Sequence, residues 1–325
     1  MKTTGTGILV SDKCLIWTDT GLLHVNELIP GVDNLLCITH TGEIERAEIT
    51  KGVSLDGPRS LVNLITENCS TVLPDETEIF LSNGSKKIKN INEDDEIELI
   101  SSKQVSKIKS IINANVDDRM SLSKLEASIL GYFDFKTKIP SKTIFYPKND
   151  KEQKFLLESL HKLKDDDERY LVPPKILHSR KSVIIVSDEF RDLSKVFEID
   201  VVPVMLRRST YATMKAYYKA IILKHRSPKG YARIVVKKNE YSLRTFLQIM
   251  AQFEGRKVSK KIKDKHIEIK IMDDALKGLE KSYSKVLAKF VSKGPAYRLE
   301  LPPGWDPIID NFIVKKHTVP YEISS

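Results

Sequence analysis

Between residues 8 and 112 the apolar residues fall in short runs that alternate with polar positions: Ile8-Leu9-Val10, Cys14-Leu15-Ile16-Trp17, Leu35-Leu36-Cys37-Ile38, Leu61-Val62-Asn63-Leu64-Ile65, Glu78-Ile79-Phe80-Leu81 and Glu96-Ile97-Glu98-Leu99-Ile100. The breaks between them, such as Thr18-Asp19-Thr20-Gly21, Leu55-Asp56-Gly57-Pro58 and Ser82-Asn83-Gly84, carry the residues that close hairpins. This segment is predicted to be all-β. From residue 113 the period changes. A helix capped by Ser121 would place Leu125, Ile129, Leu130 and Phe133 on one face, and further helices are predicted at 151–163, 188–197, 210–224, 240–254 and 273–291. Strands are predicted between them at Lys142–Tyr146, Lys181–Ser187, Ala232–Lys238 and His266–Met272. Strands that come in pairs between helices mean α+β and not a parallel α/β sheet. From Gly294 onward short strands return, Tyr297–Leu301 and Ile308–Val314.

The order of elements repeats. The series of long helix, strands, helix and strand pair that opens at residue 121 starts again at Ser209, which predicts a pseudo-twofold duplicated α+β domain. The final β segment is too small to bury a core of its own and is expected to rejoin the first. The division that follows is a β domain over 1–112, an inserted α+β domain over 113–293 and the end of the β domain over 294–325.

Charge sharpens that division. Residues 1–112 carry 11 Lys and Arg against 17 Asp and Glu, whereas residues 113–293 carry 39 against 23. A mildly acidic frame encloses one strongly basic block, the footprint of a polyanionic partner. At 325 residues, 41% hydrophobic, the chain has material for two cored domains. It has no apolar run of about 18 residues, so no membrane partner is expected. The polar opening Met1-Lys2-Thr3-Thr4-Gly5-Thr6-Gly7 lacks an apolar leader, and the expected location is cytoplasmic. Three cysteines without a C-x-x-C pair, seven unclustered histidines, and the absence of a phosphate loop or G-x-S-x-G elbow leave no cofactor or metal to expect. The acidic run Asp165-Asp166-Asp167-Glu168 reads as a solvated loop.

Trp17-Thr18-Asp19-Thr20-Gly21-Leu22-Leu23-His24-Val25-Asn26-Glu27-Leu28-Ile29-Pro30-Gly31 resembles the start of the Hint fold of inteins, and Val72-Leu73-Pro74-Asp75-Glu76 through Ile97 resembles its second block, which runs through T-x-x-H. Leu130-Gly131-Tyr132-Phe133 is similar to the first LAGLIDADG helix of homing endonucleases. Val202-Pro203-Val204-Met205 with Ala216-Tyr217-Tyr218-Lys219-Ala220-Ile221-Ile222 is similar to the second, and Ser242–Gly255 to the helix after it. The resemblance implies an all-β Hint-like domain interrupted by a duplicated LAGLIDADG saddle domain. Because family members exist as the Hint frame alone, residues 113–293 are expected to be excisable. The internal pseudo-dimer implies a monomer.

The departures from the family argue against enzyme activity. In the family each LAGLIDADG helix ends in an acid that holds a divalent metal between the half-sites. The alignment places Lys136 at the first acid and His225 at the second, and a lysine repels Mg²⁺. Asp134 sits two residues early, turned by about 200° on a helix. Alternatively Phe246–Gly255 would be the second motif, with Glu254 as its acid. For splicing, Leu9 stands at the nucleophile, Leu73 and Glu76 at the Thr and His of T-x-x-H, and Cys14 where the family has a threonine. The end, Val319-Pro320-Tyr321-Glu322-Ile323-Ser324-Ser325, lacks the His-Asn pair.

What remains is the basic saddle, a sheet face that the family lays over nucleic acid. Period-2 alternation puts Arg233 and Lys237 on one face of a strand with Ile234 and Val236 on the other, and His266 and Lys270 on one face with Glu268 between them. Lys260, Lys261, Lys263 and Lys265 are expected on the adjoining hairpin, and Lys224, His225, Arg226 and Lys229 at the helix-to-strand turn. The expected function is binding of DNA or structured RNA by a catalytically inactive, domesticated relative. Protein-adaptor and ribosome-associated roles are the alternatives, and a residual nuclease is a third.

Overall fold

The computed structural model describes residues 4–49, 53–116, 121–166, 170–195, 202–275, 282–301, 305–315 and 317–320. The architecture is mixed α+β, and the chain divides into two compact units, residues 1–115 with 235–325, and residues 116–234. Residues 235–293, read from the sequence as part of the insertion, are grouped with the first unit.

The first unit opens with ten strands: β1 (Thr4–Ser11), β2 (Ile16–Thr18), β3 (Gly21–Leu23), β4 (Leu35–Thr39), β5 (Ile44–Ala47), β6 (Val53–Thr66), β7 (Ser70–Pro74), β8 (Glu78–Leu81), β9 (Gly84–Lys87) and β10 (Glu96–Leu99). Ile8, Val10, Leu35, Cys37, Val62, Leu64, Ile97 and Leu99 alternate along their strands into one core, as the period of two along a strand requires. A helix not expected from the sequence follows, α1 (Ser102–Asn115). Its buried residues Val105, Ile108, Ile111 and Ile112 recur at helical spacing, so the expectation of β structure to residue 112 fails at its last dozen positions.

The second unit contains α2 (Lys124–Tyr132), β11 (Phe135–Ile139), β12 (Lys142–Phe145), α3 (Asp150–Asp166), β13 (Lys175–His178), β14 (Val183–Val186), α4 (Asp188–Leu193), α5 (Val204–Arg207), α6 (Tyr211–Lys224), β15 (Arg226–Ser227) and β16 (Tyr231–Lys237), the last of which crosses the division between units. The cap of α2 is Ser123 and not Ser121. Its hydroxyl accepts from the Glu126 N–H while the Glu126 carboxylate accepts from the Ser123 N–H, a capping box. Glu126 is fully buried, and the Tyr170 hydroxyl also donates to it. Asp165 and Asp166 close α3 and do not form a loop, while residues 167–169 lie outside the described residues. Strands β11 and β13 were not legible in the sequence. They complete an antiparallel sheet in the order β11-β12-β14-β13.

The chain returns to the first unit with α7 (Tyr241–Phe253), β17 (Arg256–Ile262), β18 (His266–Ala275), β19 (Ser282–Glu300), β20 (Trp305–Ile309), β21 (Phe312–Lys315) and β22 (His317–Pro320). The helix expected at 273–291 is absent wherever residues are described. Residues 266–275 and 282–300 are strands, and 276–281 lie outside the described residues. Pairing decides the conformation here: Ser282–Lys285 ladder with β10, Val286–Leu299 with β6, and Ala296–Glu300 with β1. Three partner ladders override a local pattern that also fits a helix. Strands β20 and β21 pair with β2, β4, β8 and β10 in a 14-stranded sheet.

Helix α7 belongs to this unit's core. Ten of its thirteen residues are buried, so both its apolar and polar side chains need partners in the frame. Phe253 stacks on Trp17 with ring centroids 5.0 Å apart. Trp17 Nε1 donates to Asn311 Oδ1 at 2.8 Å, and Asn311 Nδ2 donates to Gln252 Oε1 at 2.9 Å. Ser242 shares a 2.8 Å hydrogen bond with His24, Arg244 donates to Asn63 at 3.1 Å, and Lys109 Nζ donates to the Phe253 carbonyl at 2.8 Å.

Beneath these contacts lies a buried ionisable group. Asp310 is fully buried, accepting from the Leu15 N–H at 2.7 Å and the Thr71 hydroxyl at 2.6 Å. Burial outweighs those two hydrogen bonds and pushes its carboxyl up to about 7. An acid raised in the folded state contributes stability that is complete below its unfolded pKa and is lost as the pH rises through the folded one. The window is therefore about pH 4 to 7, and the full shift corresponds to about 4 kcal/mol. The ammonium of Lys260, lowered to about 7 by desolvation, stays charged in both states below about pH 6 and contributes no pH dependence there. Urea midpoints should fall between about pH 4.5 and 6, below the range in which Lys260 titrates, in the native chain and stay level in Asp310→Asn. Parallel declines in the two proteins would show that Asp310 is not the titrating group.

Candidate nucleic-acid interface

Helices α2 and α6 pack closely enough that a Cβ on Gly131 would lie 2.5 Å from the Tyr217 carbonyl oxygen, which only glycine avoids. Their C-terminal ends carry the positions where the resemblance expects catalytic acids. Phe133 caps α2 with extended backbone, so Lys136 lies in β11 and not on the helix. Its ammonium sits 5.5 Å from the centre of the Tyr146 ring. His225 caps α6, and desolvation followed by Lys224 lowers its pKa, favouring the neutral ring. Between the helix ends Lys224 Nζ bonds Asp134 Oδ1 at 2.6 Å. This ion pair occupies Asp134 and largely buries the Lys224 side chain, which is 13% exposed, so Lys224 is a poor phosphate ligand. Glu254 caps α7 in the other unit. Among the described residues no group of three or more His, Cys, Asp or Glu is arranged to hold a metal ion.

The second unit presents a lysine-edged sheet face. Thr137, Thr143, Phe145, Val183 and Ile185 are buried, so the alternate residues form the opposite face. Register places Lys136, Ile144, Ile184 and Leu177 in one row across the sheet, and Lys142, Val186 and Lys175 in the next. Three lysines thus flank a partly exposed aliphatic centre. The sequence reading missed this face because Phe135-Lys136-Thr137-Lys138-Ile139 and Lys175-Ile176-Leu177-His178 are too short and too charged to stand out as strands. The period-2 alternation of Lys136 and Lys138 around Thr137 was the available signal.

Of the saddle residues expected from the sequence, Arg226, Lys229 and Arg233 are exposed in the second unit, on or beside the hairpin in which Arg226 pairs with Ala232. In the first unit Lys237 is exposed while Ile234 and Val236 on the alternate face are buried, as the alternation requires. Lys263 and Lys265 occupy the β17–β18 turn and are exposed. Lys260 and Lys261 lie in β17 and not on the turn. Lys260 shares the inward face with Val258 and Ile262, and its ammonium donates to the carbonyls of Thr66 at 2.6 Å and Cys69 at 2.7 Å, which removes it from any outer surface. Lys261 is exposed opposite Glu268. Lys270 is half-buried, 3.9 Å from the same glutamate, so its charge is partly answered within the sheet.

The positions aligned with splicing residues lie in or beside β1 and β7. Leu9 lies within β1 opposite Arg298. Leu73 is buried in β7 opposite Val62. Glu76 faces outward and pairs with Lys87 and Lys89, which hold its carboxyl down to about 2. Its neighbour Thr77 is the residue that reaches Leu9, donating to the Leu9 carbonyl at 3.2 Å. Cys14 is buried in the bend between β1 and β2, and burial holds its thiol well above the usual range, which disfavours the reactive thiolate.

No family model and no curated protein matches the chain. Among solved structures it is similar to the DnaX mini intein from Spirulina platensis, at 18% identity and a TM-score of 0.26 over 28% of this chain and 66% of that one. The chain thus spans just under two thirds of that mini intein. A DnaB intein from Synechocystis is similar at 17% identity and a TM-score of 0.26 over 28% of this chain and 67% of that one. I-DmoI, solved in complex with DNA and Ca, is similar at 11% identity and a TM-score of 0.28 over 48% of this chain and 84% of that one. The similarity to intein and LAGLIDADG-type folds is weak and partial. No helix among the described residues is long and apolar enough to cross a membrane.

Proposed function

We propose that this chain is a catalytically inactive relative of inteins and LAGLIDADG endonucleases that binds nucleic acid through the outer face of the β11–β14 sheet, with Arg226, Lys229 and Arg233 as further phosphate contacts. The observation that carries the reading is the juxtaposition of Lys136, Lys142 and Lys175 around an aliphatic centre. Lysines at the margins neutralise phosphates, while an apolar centre suits base edges and methyl groups, a division of labour that backbone and base contacts require. The Asp134–Lys224 ion pair supports the inactive reading, since metal-assisted phosphodiester cleavage needs convergent negative charge where this pair is neutral.

The test joins binding to chemistry. Fluorescence anisotropy with a duplex DNA and an RNA hairpin should give affinities that fall with salt by about 0.9 log units per log unit for each phosphate neutralised on duplex DNA. The same mixtures with Mg²⁺ or Mn²⁺ should show no strand cuts, and the chain placed between two reporter segments should give no ligated product. Binding that ignores salt would favour the protein-adaptor reading. Cuts abolished by Glu254→Gln would restore the nuclease.

A further inference from the structure

We infer that the groove between α2, α3 and α6 docks an amphipathic helix of a protein partner, with acidic residues flanking that helix's apolar stripe. The groove encloses about 610 Å³, and its walls repeat at helical spacing. From α2 come Leu125, Ile129 and Tyr132, and from α6 Ala216, Ala220 and Leu223, each set at i, i+4 and i+7. Both walls therefore run parallel to their helix axes for two turns, about 10 Å at 1.5 Å per residue. Two turns are the length over which a partner helix presents i, i+3 or i+4, and i+7 anchors. Half-buried Ala216 leaves room for a partner backbone over a floor that includes buried Ala220 and Ile129, and Phe155 of α3, 56% exposed, and Leu223, 62% exposed, form apolar edges.

Charge selects the occupant. Lys151 on α3 and Lys219 on α6 stand on different walls and are exposed, and among the described residues neither has an ion-pair partner. The one acid in the lining, Glu152, accepts the Lys148 N–H at 2.8 Å and is committed to the start of α3. Two unanswered cations beside an apolar channel fit carboxylates spaced along a helix better than a neutral or basic one. The repeat offers a contrast within the chain: α7 is buried along ten of its thirteen residues, whereas Leu156, Leu160 and Leu163 form the buried stripe of α3 and Phe155 is left open.

The inference is independent of nucleic-acid binding, and the test keeps the two apart. The full chain is titrated with a labelled synthetic helix of about 15 residues carrying leucines at i, i+4 and i+7 and glutamates on both flanks, and with its lysine-flanked twin. The acidic peptide should bind about tenfold more tightly, and Lys151→Glu with Lys219→Glu should invert that order. Leu223→Glu, a substitution at an exposed position, should weaken the apolar contact for both peptides. Lys136→Glu, Lys142→Glu and Lys175→Glu together should leave peptide binding unchanged. Failure of both peptides to bind would overturn the inference, as would indifference to the lysine reversals. Groove-dependent binding of dodecanoate without either peptide would identify a small-amphiphile site and also overturn it.

Discussion

Excising residues 116–234 and closing the gap with a short flexible linker should leave a folded protein, whereas excising 113–293 should abolish folding. The second cut removes residues 282–293 of β19, which ladder with Glu96–Leu99 of β10 and with Ser60–Thr66 of β6. It also removes α7, and with it the ring stacked on Trp17 and the partners of His24 and Asn63. Each large apolar side chain returned to water costs about 1.5–3 kcal/mol, and Trp17, Leu61, Val62, Leu64 and Ile65 are all buried in that region. A handful of such losses exceeds the roughly 5–15 kcal/mol that holds a domain together. The first cut follows the division between the compact units and leaves every ladder of β19 in place. Circular dichroism with thermal melts separates the cases. A folded 113–293 deletion beside an unfolded 116–234 deletion would reinstate the insertion boundaries read from the sequence.

How far the fold was legible follows from which interactions set each element. Leu61–Ile65, buried on both faces, advertises itself as a nearly continuous apolar run, Ile97–Leu99, with one buried face, by alternation, and α6 by its length and its Thr210 cap. The sequence failed where tertiary pairing or short length decided the outcome. Residues 282–291 contain Val286, Leu287, Phe290 and Val291 at spacings that fit a helix, and only the ladders to β6 and β10 settle them as strand. The candidate site suffered from the same limit. Lys260 counts as surface charge in a composition, yet its place on the inward face of β17 turns it into a buried donor to frame carbonyls. Lys136 counts as a degraded catalytic position in an alignment, and becomes part of a lysine row only once β11 and β12 are paired. That a lysine and a histidine stand where the resemblance expects acids was legible from residue types, but the identity of the group beside Asp134 was not, because Lys224 is brought there by the packing of α6 on α2.

Reversing Lys136, Lys142 and Lys175 to glutamate should cost nucleic-acid affinity about a hundredfold, close to 3 kcal/mol, while reversing Lys86, Lys87 and Lys89 should cost little. Both triples change net charge equally, so only position separates them. The first three lie on one sheet face in rows fixed by register, within reach of a single polyanion. The second three are tied to Asp95 and Glu76 on the other unit, so their charges are already answered, and exposed pairs of this kind contribute about 0–1 kcal/mol to stability. If the sheet lysines contact phosphates, the log–log salt slope should fall by about 0.9 for each lost contact on duplex DNA. The frame triple should act only through a field screened over about 8 Å at physiological salt. Affinity and salt slope move together for a local site, which distinguishes it from misfolding, since a misfolded variant would also lose its cooperative melt. Equal losses from the two triples would mean attraction to overall charge without a site, and an unchanged slope after Lys136→Glu, Lys142→Glu and Lys175→Glu would remove the sheet face from the interface.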